Sequence, residues 1–170
     1  GIAGYYAMMA LPQDMIGLAM TNTAALGVPT FGRQVMFGTN PIAFGIPSSG
    51  DPVVFDMATA AIAWYGLVEA QANGNELPKN LCYDDQGRFT TDPGEAMEGA
   101  ILPFDQSYKG SGLAMMVEIL AGPLVSAAFA NVGDVWGNWG NMILALDPEL
   151  LVDRGEFQAN VSQLVKEIKR

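Results

Sequence analysis

Three short apolar runs set the terms on which this chain can fold: residues 15–21 (MIGLAMT), 42–46 (IAFGI) and 53–56 (VVFD). Each ends at or is flanked by Asn, Thr, Gly or Pro, whose turn chemistry interrupts regular structure, so each predicts a buried strand. Around them the period changes to that of a helix. Residues 2–11 place Tyr5, Met8 and Met9 at helical spacing and stop at Pro12. Residues 57–72 are alanine-rich, carry Ile62, Leu67 and Val68, and are closed by Asn73 and Gly74. Both stretches predict helices. Residues 74–103 are rich in Asn, Asp, Gly and Pro and predict an exposed excursion, with 85–87 (DQG) turning between 81–83 and 88–90. A Gly-Ser-Gly entry after Lys109 leads into the apolar run 113–129, then a strand over 142–146 and a polar-faced helix over 156–169. The expected fold class is α+β, a mixed sheet packed against helices. At 170 residues, half of them apolar, the chain is long enough for one core that hides roughly 70% of its unfolded surface, and residues 1–170 are expected as a single domain.

Several function classes are excluded at this level. The formal charge is -10, from 18 acidic against 8 scattered basic residues, which leaves no footprint for nucleic acid. Cys82 is the only cysteine, so an internal disulfide and a thiolate metal site are ruled out, and a reducing, cytoplasmic setting is expected. With no helper base beside it, Cys82 predicts an inert thiol. Glu118, Gly122 and Pro123 break the longest apolar stretches, which fall short of the ~20 residues of a bilayer span, so no membrane partner is expected. Residue 1 is glycine and residues 1–10 lack the features of a signal peptide, which reads as a fragment. There is no histidine, hence no Ser-His or Cys-His nucleophile and no histidine-ligated metal. Gly110-Ser111-Gly112 matches neither GxGxxG nor the phosphate loop, and the spacing of Asp84, Asp85, Asp92, Glu95 and Glu98 does not match a calcium loop, so no metal site is expected. Met8, Met9, Met115 and Met116 predict core filling.

Three segments are unusual. In 38–44 (GTNPIAF) a Thr-Asn-Pro turn feeds a strand, and in 53–59 (VVFDMAT) a carboxylate stands where a strand is expected to become a helix. Capping of that helix is the plain reading of Asp56. In 108–112 (YKGSG) a lone cation and two glycines precede a helix, where free backbone N–H groups favour an anion. A nucleotide or carboxylate site is the common implication.

Read in order, GTNPIAFGIP, DPVVFDMATAA, TTDP, ILPF and YKGSGLAMMVEILAG resemble the type-2 malate/L-lactate dehydrogenases, from residue 1 to about 147 and more loosely to 170. That family includes ureidoglycolate, sulfolactate and 2,3-diketogulonate oxidoreductases and cyclic imino-acid reductases. The resemblance implies a non-Rossmann nicotinamide-binding fold, which agrees with the missing GxGxxG, and NAD or NADP as cofactor. It implies cofactor contact at Thr23 with Thr21 and Asn22 beside it, at Asp56, Met57 and Ala58, and at Tyr108 and Lys109. Lysine suits a phosphate or the carboxylate of a 2-oxo acid. Trp139 and Gly140 fall near the substrate-proximal loop, and Asn141 stands where many relatives have histidine.

The resemblance further implies hydride transfer between nicotinamide and a small 2-hydroxy or 2-oxo acid, in a homodimer. No catalytic residue is expected among the 170, because the family's acid-base histidine would precede Gly1. An N-terminal helical region near the substrate and a C-terminal closing segment are likewise expected outside the chain, leaving the fragment nearly inactive alone. An inactive nucleotide-binding module and an oligomerisation module are the alternatives.

Overall fold

The three apolar runs are strands: β1 (Ile16–Thr21), β2 (Ile42–Ile46) and β3 (Val53–Met57). The computed structural model describes residues 2–134 and 136–170. The chain divides into two compact units, the first of residues 1–20, 42–57 and 142–170, the second of residues 21–41 and 58–141. The mixed α+β architecture expected from the sequence is what the structure shows, with the registered strand pairs antiparallel.

In the first unit the sheet order is β3-β2-β1-β7, with β7 spanning Asn141–Leu146. The inner strands β1 and β2 hold the buried residues Ala19, Met20, Ile42 and Ala43. Residues 53–56 are not the buried strand expected, because β3 lies at the sheet edge and Val54, Phe55 and Asp56 are exposed. Helix α1 (Ala3–Met8) packs on the sheet through small residues, Ala3 and Ala7 meeting Ala19 and Ala43. Gly17 and Gly45 stand opposite each other in register under the carbonyl of Ala7. A Cβ at Gly17 would lie 1.8 Å from that oxygen, and one at Gly45 2.8 Å from it. Close backbone approach thus requires glycine at both positions. It also turns the large residues of α1 outward, so Tyr5, Met8 and Met9 are exposed and not core filling. Helix α5 (Arg154–Ile168) is capped by Asp153, which accepts from Glu156 N–H at 2.9 Å, and buries no residue fully.

In the second unit a three-stranded sheet, ordered β5-β4-β6, joins β4 (Cys82–Tyr83), β5 (Phe89–Thr90) and β6 (Ala100–Ile101). The β4–β5 turn forms where the sequence placed it. Asp84 accepts from the backbone N–H of Gln86 and Arg88, and Gly87 takes φ of 76°. Helix α3 (Pro93–Glu98) follows, with Asp92 as its N-cap. Residues 74–103 are therefore no exposed excursion: Leu77, Cys82, Ala96 and Ile101 form a core with Leu67. Helix α2 (Trp64–Asn73) starts well after residue 57. The intervening segment is bonded in extended fashion, Thr59 N–H to Thr39 O, Ala61 N–H to Leu102 O and Phe104 N–H to Thr59 O. These bonds outweigh the helix propensity of its alanines. Helix α4 (Tyr108–Ala121) occupies the first part of the apolar run 113–129 and stops at Gly122-Pro123, since proline has no N–H to continue it. Met115 and Met116 are exposed on α4, again not core. Among the described residues no helix is long and apolar enough to cross a membrane.

Candidate cofactor site

The first turn of α4 is closed by the chain itself. Ser107 is the N-cap and its hydroxyl oxygen accepts from Lys109 N–H at 3.1 Å. The carboxylate of Asp105 accepts from the N–H groups of Ser107 and Gly110, each at 3.0 Å, and from the Ser107 hydroxyl. The Ser107 hydroxyl is the main cause holding the Asp105 carboxyl below its ordinary value, with the two backbone bonds adding to it and desolvation opposing. The expectation that free backbone N–H groups at this helix end would favour an external anion is corrected here: Asp105 is the anion, and the Gly110 and Lys109 donors are taken. The side chains of Tyr108 and Lys109 point into solvent, and Lys109 forms no ion pair among the described residues. An exposed ammonium with no ion pair among the described residues fits a phosphate or carboxylate. Ser111, one turn on, donates to the Thr30 hydroxyl at 2.9 Å and accepts from Thr30 N–H at 2.7 Å.

In the last turn of α4, on its face with Ala114, Val117 and Ala121, the buried carboxylate of Glu118 gathers three donors. Asn40 Nδ2 reaches Oε2 at 2.6 Å, while Asn22 Nδ2 at 3.2 Å and Ala130 N–H at 2.7 Å reach Oε1. Asn22, 1% exposed, also donates to Ala128 O and accepts from Gly140 N–H at 2.8 Å. Thr21 donates its hydroxyl to Gly140 O at 2.7 Å. Thr23 accepts from Thr39 N–H at 3.1 Å, and a Cβ at Gly38 would lie 1.9 Å from the Thr23 hydroxyl oxygen. Asn40 adopts φ of 38°, and its carbonyl accepts from the Thr59 hydroxyl at 3.0 Å. Its Oδ1 is buried without a partner among the described residues.

The sequence-derived residues thus fall into groups. Thr21, Asn22 and Gly140 are directly bonded, and Thr23 joins them through Thr39 and the Asn40 turn. Trp139 is half-exposed beside Gly140. Tyr108 and Lys109 stand at the start of α4. Ala58 belongs to the second unit, while Asp56 and Met57 end β3 in the first. Asp56 does not cap a helix starting at residue 57: it accepts from Gly4 N–H at 2.7 Å, in the first turn of α1, and stands opposite Ala43 in the sheet. Sequence reasoning missed Asp105 and Glu118 as site-building groups. Glu118 was visible as the lone carboxylate in an apolar helical run, and was used only to exclude a membrane span. A cleft of about 270 Å³ between Gln71, Glu76, Asp92 and Gly94 contains none of the expected site residues.

Comparison with known proteins gives one consistent result. Residues 1–170 match the family described as Malate/L-lactate dehydrogenase. The L-sulfolactate dehydrogenase of Methanothermobacter thermautotrophicus is 45% identical over 99% of the chain and 51% of its own length. The malate/(S)-sulfolactate dehydrogenase of Methanothermus fervidus is 46% identical over the same shares. In structure, the delta1-piperideine-2-carboxylate reductase of Pseudomonas syringae pvar. tomato superposes with a TM-score of 0.92 at 34% identity, covering 99% of this chain and 53% of that one. The chain therefore spans about half the length of the curated relatives it matches.

Proposed function

The chain belongs to the malate/L-lactate dehydrogenase family, and from that premise we propose that it is the cofactor-binding part of an NAD- or NADP-dependent oxidoreductase acting on a small 2-hydroxy or 2-oxo acid. The relatives' names span sulfolactate, malate and piperideine-2-carboxylate, which agree in a carboxylate beside the carbon that is oxidised or reduced. The bound nicotinamide would accept hydride from a 2-hydroxy acid or, as NADH or NADPH, supply it to a 2-oxo acid. The residues of this chain bind and orient: Lys109 meets a cofactor phosphate or a substrate carboxylate, residues 21–23 with Ala58, and Asp56 with Met57, line the cofactor, and Trp139 and Gly140 border the substrate. Acid-base chemistry falls to a histidine that these 170 residues do not supply. A homodimer and a cytoplasmic setting complete the reading.

The observation that carries it is Lys109, an exposed cation with no ion pair among the described residues, beside helix-end donors already satisfied by Asp105 and Ser107. Titration of the chain with NADH and NADPH, followed by nicotinamide fluorescence, tests it. Saturable binding is expected, weakened about tenfold or more in Lys109→Ala, since a charge-assisted contact contributes roughly 1.5–3 kcal/mol. A folded sample that binds neither nucleotide would sink the proposal.

A further inference from the structure

A carboxylate in an apolar helix face is expensive, because an apolar side chain of the same volume fills the space without desolvating a charge. Glu118 is such a group, 4% exposed between Ala114, Val117 and Ala121. What it provides that leucine would not is polarity. A carboxylate only accepts, so every amide facing it must present its NH2 end. Asn22 accordingly turns Nδ2 to Glu118 and the Ala128 carbonyl, and its Oδ1 faces Gly140 N–H. Asn40 turns Nδ2 to Glu118 and the Ala114 carbonyl. Were Asn22 reversed, its NH2 would meet the Gly140 N–H donor to donor. Gly140 is then held at both ends, its N–H by Asn22 Oδ1 and its carbonyl by the Thr21 hydroxyl and the Asn22 N–H.

We infer that Glu118 is a positioning residue whose buried carboxylate fixes the orientation of the Asn22 and Asn40 amides and thereby holds the 21–23 strand end and the Gly140 loop in one register. The inference rests on the oxidoreductase reading above, in which the first of these segments meets the cofactor and the second the substrate. Glu118 touches neither ligand; it acts through Asn22, Asn40 and Ala130. Glu118→Gln tests the point most finely. Its one oxygen cannot replace two: turned to Asn22 and Ala130 it sets its NH2 against the NH2 of Asn40, and turned to Asn40 it sets its NH2 against Asn22 Nδ2 and the Ala130 N–H.

The experiment pairs NADH titration with amide hydrogen exchange on the chain and on Glu118→Gln. The expected result is NADH affinity lower by about tenfold or more, together with faster exchange at Ala130 and Gly140, while the amides of Leu67 and Cys82 in the neighbouring core keep their rates. A folded Gln variant that binds NADH as the parent does overturns the inference and leaves the oxidoreductase reading standing. A parent chain that binds neither NADH nor NADPH overturns that reading and the inference with it; one that binds only NADPH carries the same comparison with NADPH. If the variant does not fold, the parent alone decides: NADH must slow exchange at Ala130 and Gly140 more than at Cys82, and equal slowing rejects the positioning role.

Discussion

A methyl group added at Gly140 would lie 1.6 Å from the carbonyl oxygen of Ala121 and 2.8 Å from its carbon, both backbone atoms at the end of α4. Neither can give way as a flexible side chain would. Gly140→Ala should therefore destabilise the chain by about 1–3 kcal/mol or more, the range of overpacked sites, and lower its urea midpoint accordingly. Gly112 gives the opposite expectation from the same chemistry. It sits inside α4 with nothing within 4 Å of an added Cβ, so Gly112→Ala should raise stability by about 0.5–1 kcal/mol through helix propensity alone. Equal effects of the two substitutions in the same denaturation series would refute the close approach at Gly140. At this scale the sequence was legible where the chemistry is local, as in the turn at residues 85–87, where Gly87 takes φ of 76° and Asp84 accepts from Gln86 and Arg88. It was not legible where a residue's role is set by partners far along the chain. Nothing local tells that Asn22 is bonded to Glu118, 96 positions away, or that Asp56 turns its carboxylate to Gly4.

At the scale of elements, the strands of the four-stranded sheet were read closely, while the starts of α2 and α4 were not. β2 occupies the five residues that its Gly and Pro flanks marked out, residues 42–46. The start of α2 was misjudged because alanine content reports intrinsic preference only, and residues 58–63 are claimed by bonds to the 39 and 102 strand-like segments. The start of α4 shows what a sequence-level rule omits. The dipole does attract an anion, yet the anion is Asp105, three residues before Tyr108. Its carboxyl is depressed below the ordinary value of 3.8, chiefly by the Ser107 hydroxyl, so the stabilisation it gives is present above that value and is lost as pH falls through its folded one. The protection factor of the Gly110 amide, its exchange rate taken against the intrinsic rate at each pH, should fall only in that acid range. Ser107→Ala removes the main cause of the shift, so in it the loss of protection should begin at higher pH. A Gly110 protection factor indifferent to pH in both proteins would mean that Asp105 does not hold this turn in solution.

At the scale of the molecule, the chain leaves one compact unit for the other after residues 20, 41, 57 and 141. Such interleaving explains why the α+β class and the family were readable while the division into units was not: motif order runs along the chain, but each unit's core is assembled from separated stretches. Cys82 gives a probe of the second unit as a whole. It is 0% exposed, and burial pushes its thiol up to about 11, so at neutral pH it should react with iodoacetamide only when the Leu67, Leu77, Ala96 and Ile101 core opens. A ligand that binds the closed unit and not the opened one stabilises it by RT ln(1 + [L]/Kd), so NADH at ten times its Kd should slow the alkylation about elevenfold. Slowing of that size would tie the cofactor site to the same cooperative unit as the core around Cys82. An unchanged rate, with NADH bound, would mean that the core around Cys82 opens while Lys109 and Gly140 stay in place, and that the site is held together by the α4 hydrogen bonds independently of it.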